Sequence, residues 1–266
     1  MNWFDSHCHL EPEIDLADLE VKLKERSVEG LVNIGTTMET SRRAPVVARR
    51  VKDAIPELVV GASLGIHPHD GAAVEGDKYR EFDELIGVTK EAYPDLLVGI
   101  GECGLDYYYD YCDRKVQREA FVAQIESAIK YDLPVIIHTR DAWDDTFAIL
   151  DDFRHHRYIL HCFTGGPSEV ERLLGYNTVI SFSGVVTFKK SADNQEAAKI
   201  CPVDRMVVET DSPYLAPMPF RGKPNDPSLV AVTGAFIADL KGIDVDSFAK
   251  STTANALAFF SIPPRD

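Results

Sequence analysis

Short apolar runs alternate with longer amphipathic stretches along the whole chain. The runs are Trp3–Phe4, Leu31–Gly35, Leu58–Ile66, Leu96–Gly101, Pro134–Ile137, Tyr158–Leu160, Val179–Phe182 and Met206–Val208. Most are continuously apolar, the pattern of parallel strands buried on both faces. Trp3–Phe4 is short and takes its strand assignment from its place in the series. Between the runs the spacing is helical. Phe121, Ile125, Ala128 and Ile129 repeat at helical intervals, as do Leu229, Val232, Phe236, Ile237 and Leu240. Repeated βα units predict a parallel sheet with helices outside it. Eight such units predict an α/β fold of the closed (β/α)8 TIM-barrel type, with an open doubly wound sheet as the alternative. No linker, low-complexity segment or close repeat divides the sequence, so a single domain over residues 1–266 is expected.

Composition narrows the function classes. Of 266 residues, 45% are apolar and 27% charged, which describes a soluble globular chain able to bury a core without disulfide or metal staples. Lys and Arg total 28 against 43 Asp and Glu, a formal charge of −15. That balance excludes a broad basic groove for duplex nucleic acid, but not a local site where metal ions supply the positive charge. Cys8, Cys103, Cys112, Cys162 and Cys201 are odd in number and scattered, the pattern of reduced thiols. Acidic residues and histidines from Asp5 to Asp15 stand where a signal peptide needs an apolar run, and no stretch is long and apolar enough for a membrane span. The expectation is a cytoplasmic protein with no membrane partner.

The candidate chemistry lies where the strands end. The first run leads into Asp5-Ser6-His7-Cys8-His9, the third into His67-Pro68-His69, the fourth into Glu102, the fifth into His138, the sixth into His161 and the eighth into Glu209-Thr210-Asp211. Helices are expected to hold no histidine, and His155 and His156 fall in a short polar turn. In a βα barrel all strand C-termini open on one mouth, so these residues meet there. His7 and His9, two apart on extended chain, point to the same side, with Cys8 turned away between them. Four imidazoles with Glu102 and Asp211 exceed the needs of one zinc ion. They suit two divalent ions with a bridging carboxylate. Singly, His138 or His161 reads as an ordinary core or rim histidine and Asp211 as a turn cap before Pro213. Together they read as a metal site. Gly99-Ile100-Gly101-Glu102-Cys103-Gly104 fits a dinucleotide-binding fingerprint but is followed by Asp-Tyr-Tyr-Tyr rather than a helix start, so nucleotide binding is rejected there.

These segments resemble the TatD family of metal-dependent nucleases. The resemblance runs through Asp5–Leu10, Gly65–Pro68, Gly101–Tyr107, Pro134–Arg140, Leu160–Gly165, Ile180–Gly184, Val208–Pro217 and Arg221–Asn225. It implies a (β/α)8 barrel, divalent metals (Mg, Mn or Zn) and hydrolysis of DNA, often from the 3′ end. It further implies that His7, His9, Glu102 and Asp211 hold one ion. Glu102, His138 and His161 would hold a second, with Glu102 shared. His67 and Arg140 would lie near the substrate phosphate, and Arg221 is a weaker candidate for the same role. The family commonly has Thr where this chain has Cys103, a position expected to face away from the site.

The function expected is two-metal phosphodiester hydrolysis, with Asp211 orienting the water or taking its proton and Arg140 pairing with phosphate oxygens. The acidic surface favours single-stranded or frayed DNA ends over long duplex. The cluster Tyr107, Tyr108, Tyr109 and Tyr111 reads first as loop packing and second as a base-stacking surface. Arg154–Arg157 reads as a solvated turn. The chain is expected to act as a monomer. The rival enzyme reading is a small-molecule hydrolase of the same barrel type, acting on a lactone, amide or phosphotriester. Related barrels often use a bridging carboxylated lysine, and Glu102 in that position favours the nuclease. A metal-binding scaffold without catalysis is the rival from another class.

Overall fold

The computed structural model describes residues 2–74 and 78–263. Eight parallel strands form one sheet in sequential order: β1 (Trp3–Cys8), β2 (Val28–Ile34), β3 (Val59–Leu64), β4 (Leu97–Asp106), β5 (Val135–Arg140), β6 (Tyr158–Leu160), β7 (Thr178–Phe182) and β8 (Met206–Val208). Around it run α1 (Leu16–Glu25), α2 (Met38–Ala54), α3 (Lys78–Ala92), α4 (Arg114–Tyr131), α5 (Trp143–Asp152), α6 (Pro167–Leu173), α7 (Ala192–Ile200), α8 (Val230–Lys241) and α9 (Val245–Phe259). The circle from β8 back to β1 is closed just beyond β8. A single bridge pairs Cys8 with Ser212, and the amides of Asp211 and His9 reach His7 O and Ser212 O at 2.9 and 2.8 Å. The fold is therefore the expected (β/α)8 barrel rather than the open sheet.

Local chemistry explains the helices. The side chains of Asp15, Asp113 and Asp244 each accept backbone N–H groups at the start of α1, α4 and α9, and Thr37 with Thr40 forms a capping box on α2. In α4 the periodic residues Phe121, Ile125 and Ala128 are buried as expected, while Ile129 is exposed. In α8 the buried side is Val230, Thr233, Gly234, Ile237 and Ala238, so the stripe is rotated from the expected one. The reason is Trp3, whose fully buried indole lies against Gly234 and leaves no room there for a side chain.

Two apolar layers hold the barrel. The larger joins the outer faces of the strands to the helices. The smaller takes Phe4, Val32, Val98, Ile136, Ile159 and Val207 from six strands and ends on Phe259 and Phe260. Thr253 bonds to Asn2 O, Asn255 to Val203 O and Met206 O, and Arg157 to Phe259 O, so α9 seals the N-terminal end of the barrel. The polar mouth is left at the opposite end.

Three strand expectations change. β1 runs on past Phe4 to Cys8, because Asp5 and Ser6 find hydrogen-bond partners inside the fold. Asp5 accepts from the amide and hydroxyl of Thr210, and Ser6 donates to Val208 O. β4 extends through Glu102 to Asp106, which makes Gly99–Gly104 strand and removes any phosphate-binding turn. Gly101 and Gly104 have φ of 132° and 139°, and a Cβ on either would collide with the β5 backbone at Ile136 O or His138 O. His69 lies in a 3₁₀ turn, Pro68–Val74, and not in extended chain. The turn is closed by the amides of Asp70 and His69 bonding to the carbonyl and Nδ1 of His67.

Candidate metal centre

The strand ends deliver their polar residues to one cavity of about 950 Å³ at the barrel mouth, lined among others by His9, His67, Glu102, His138, His161 and Asp211. Glu102 is its hub. One carboxylate oxygen, Oε1, lies 2.9 Å from His138 Nδ1, 3.0 Å from His161 Nε2 and 3.5 Å from His67 Nε2. The other, Oε2, lies 3.4 Å from His7 Nε2 and 3.9 Å from His9 Nε2. Asp211 Oδ1 faces the same two imidazoles at 3.8 and 3.4 Å. The alternation expected of His7 and His9 is present, with their Nε2 atoms 3.3 Å apart and Cys8 turned away to bond Val32 O. Cys103 likewise faces away, toward Ile136 O.

The donor set fits a divalent cation. Ligand bonds of about 2.1 Å in a tetrahedron give ligand–ligand edges of about 3.4 Å, which is the spacing found between His7, His9, Asp211 and Glu102. Three groups have the reach to hold an ion: His7, His9 and Asp211; His7, Glu102 and His161; and His67, Glu102 and His138. The first holds three of the four residues that the family resemblance implies for one ion, Glu102 falling in the other two groups. Around Oε1 of Glu102, His138 and His161 both approach as implied, and His67 joins them from just after β3. His67 therefore stands among the possible ligands as well as near the substrate.

The electrostatics point the same way. Burial pushes the Glu102 carboxyl up, but the field of His161 and hydrogen bonds from His138 and His161 outweigh it and hold the group well below the usual carboxylate range. Burial alone would lower His161, yet Glu102 and Glu209 hold it well above the ordinary histidine value. Asp211 is lowered because His9 and His161 outweigh its burial. Burial, then repulsion from His161, lowers His7, and burial takes His67 down to about 3. The lowered carboxyls of Glu102 and Asp211 thus face a raised His161, whose positive charge a metal ion would replace on binding.

A second ring of residues fixes these groups. The fully buried Glu209 accepts from His161 Nδ1 at 3.0 Å, the Cys162 amide at 2.6 Å and Ser181 Oγ at 2.5 Å. Asp106 takes His138 Nε2 at 3.3 Å and His69 Nε2 at 3.0 Å on one oxygen, and the amides of Tyr108 and Tyr109, both at 3.0 Å, on the other. Asp5 ties β1 to the segment after β8. Asp5, Asp106 and Glu209 were not among the sequence-derived candidates. Spacing alone carries the signal that finds them: Asp5-His7-His9, Glu102-Gly104-Asp106 and Glu209-Asp211 each follow the two-residue repeat of a strand face.

Arg140 lines the cavity, its guanidinium 4.0 Å over the ring of Tyr108 and 4.7 Å over that of Tyr109. Arg221 does not join the cavity lining. It stacks at 4.2 Å over Phe188 in an exposed turn. Arg154–Arg157 is more than a solvated turn, since Arg157 reaches Phe259 O and Ser261 while His156 bonds Leu133 O.

This (β/α)8 barrel gathers its candidate metal ligands at the C-terminal mouth, where barrels of this class carry their active sites. The family model described as TatD related DNase matches residues 4–261, and the chain belongs to the TatD family. It is 37% identical over 265 residues to the Bacillus subtilis protein named uncharacterized metal-dependent hydrolase YabD, covering 97% of this chain and 99% of that protein. The crystal structure of YJJV, a TatD homolog from Escherichia coli K12, superposes with a TM-score of 0.85 at 25% identity, covering 98% of each chain. The lactonase Lmo2620 from Listeria monocytogenes shares the fold at a TM-score of 0.61 and 13% identity, covering 97% of this chain and 94% of its own. Among the described residues no helix is long and apolar enough to cross a membrane.

Proposed function

We propose that this metal-dependent hydrolase cleaves phosphodiester bonds in DNA, acting from single-stranded or frayed ends with two divalent ions, Mg, Mn or Zn. The observation that carries the reading is Arg140. Among the described residues its guanidinium has no hydrogen-bond or ion-pair partner, although it lines a cavity rich in carboxylates. A cation left unpaired in such a place suits an anionic substrate, and a planar guanidinium suits the paired oxygens of a phosphate. A lactone or amide would give it no charge to meet.

His7, His9, Asp211 and Glu102 would hold one ion, and Glu102, His138 and His161 a second, with His67 close by. Divalent ions supply Lewis acidity there: they lower the pKa of water and offset the charge of the phosphate. Asp211 is ionised and directed at the cluster, so it orients the attacking water and accepts its proton. The water oxygen joins phosphorus as the bond to the leaving sugar oxygen breaks, and that oxygen takes up a proton. Arg140 orients the phosphate throughout. The overall charge of −15 opposes long duplex over most of the surface, while a strand end needs only the few contacts of the mouth.

The test is to strip the protein of metal, reload it with Mg, Mn or Zn in turn, and incubate it with 3′-labelled and 5′-labelled single-stranded oligonucleotides. Metal-dependent laddering from one end, absent in Glu102→Ala, is the expected result. Hydrolysis of a lactone or phosphotriester with no oligonucleotide cleavage under any metal would overturn the reading. Asp211→Asn with full metal content should lose turnover, and near-normal turnover would remove Asp211 as the base.

A further inference from the structure

The loop after β4 carries four tyrosines that divide into different roles. Tyr107 packs: its hydroxyl bonds Asp145 at 2.5 Å and Arg118 at 3.1 Å, and Arg114 lies 4.3 Å over its ring. Tyr108, Tyr109 and Tyr111 are instead 59%, 44% and 71% exposed, so of the four only Tyr107 is tied to a neighbouring helix in the way expected of the whole cluster. Tyr109 is committed to its neighbours, stacked on Tyr111 at 5.2 Å with the edges of Tyr108 and His69 against it. Tyr108 and Tyr109 both line the cavity, and Tyr108, the more exposed of the two at 59%, has Arg140 at 4.0 Å over its ring.

We infer that the exposed ring of Tyr108 is a stacking subsite for a nucleobase adjoining the phosphate held at the metal centre, so that the substrate is a strand whose terminal bases are unpaired. The inference rests on the phosphodiesterase reading above and adds the element that tells an unpaired base from a paired one. Three observations support it. First, Arg140 and Tyr108 line the same cavity, with the Arg140 guanidinium 4.0 Å over the Tyr108 ring, so a phosphate held by that guanidinium would lie beside the ring. Second, the platform is already ordered. The amides of Tyr108 and Tyr109 bond one oxygen of Asp106, whose other oxygen bonds His138 beside Glu102. Ordering cost on binding is therefore small. Third, a base inside a duplex has no face to offer, whereas an unpaired base has one, and stacking tolerates any base because each has a π-face.

The test measures binding apart from turnover. Fluorescence anisotropy of a labelled phosphorothioate-linked single-stranded oligodeoxynucleotide, which resists cleavage, is recorded with the metal-loaded protein. Tyr108→Ala should weaken binding by about 5- to 150-fold, the range for loss of one base–aromatic stack, while Tyr108→Phe should stay near wild type. An oligonucleotide with one abasic position at its end should reproduce the loss in wild type and add nothing to it in Tyr108→Ala. Equal affinity of Tyr108→Ala and wild type, a full further abasic loss in the variant, or no binding by wild type would each overturn the subsite. Oligonucleotide laddering by wild type with unchanged binding by Tyr108→Ala overturns the subsite alone. Absence of laddering with intact, Tyr108-dependent binding overturns the phosphodiesterase reading alone.

Discussion

Nδ1 of His161 lies 3.0 Å from Oε1 of Glu209, and this bond turns Nε2 of the same ring toward Glu102 at 3.0 Å. One buried carboxylate thereby holds the Nδ1 proton, so that loss of the Nε2 proton would leave a lone pair facing the cluster. Removal of that charge should be felt at the metal. Glu209→Gln keeps the shape and loses the charge, so metal affinity should fall by about 10- to 100-fold, the usual cost of an outer partner to a ligating histidine. Competition with a chelator measures it, and unchanged retention would place Glu209 in a purely structural role.

Arg140→Ala should lower kcat/KM toward a single-stranded oligonucleotide by about 10- to 150-fold, the loss of one charge-assisted hydrogen-bonded contact of about 1.5–3 kcal/mol. Arg140→Lys should recover only part of this, because a point charge neither forks onto two oxygens nor covers the Tyr108 ring. Steady-state kinetics with metal content matched across variants decides the matter, and full recovery by Lys would reduce Arg140 to a simple charge.

Asp83, remote from the centre, gives a pH prediction free of the metal. Its carboxylate accepts from Ser127 Oγ at 2.7 Å and Lys130 Nζ at 2.5 Å. Burial pushes its pKa up, but Lys130 and Ser127 outweigh this and hold it below the usual value. A lowered carboxyl pKa gives stability that is full above the unfolded value of about 3.9 and is lost as pH falls through the folded one. Asp83→Asn should therefore be less stable than wild type at pH 7, with the gap shrinking below about pH 3.9. Urea unfolding at a series of pH values reads it. A gap that widens in acid would contradict the sign.

Gly234→Ala should destabilise the barrel by about 1–3 kcal/mol, the cost of overpacking a filled core. The added methyl meets the Trp3 indole, which is buried and fixed at the start of β1. Urea unfolding of the variant checks this, and a stability equal to wild type would show that α8 shifts freely.

Much of this protein was legible in one dimension, and the reason is periodicity. Eight apolar runs separated by amphipathic stretches specify a parallel barrel, since strands buried on both faces and helices buried on one leave distinct repeats. The barrel rule then gathers residues at strand ends, which is why His7, His9, Glu102, His138, His161 and Asp211 were found together without coordinates. What the sequence blurred were polar strands. β1 and β4 continue through polar residues because Asp5, Glu102 and Asp106 find partners on neighbouring segments, and a one-dimensional pattern reads such residues as an end.

The tertiary structure alone decided the partners. That Arg221 stacks on Phe188 outside the cavity while Arg140 lies within it depends on where two chain segments cross, not on either motif. That Glu209 bonds His161 and Asp106 bonds His138 likewise depends on approach across 48 and 32 residues of sequence. Spacing along one strand sets which side chains share a face. The closing of eight strands into a circle sets which faces meet, and only there do charge, hydrogen bonding and burial select the residues that hold one another.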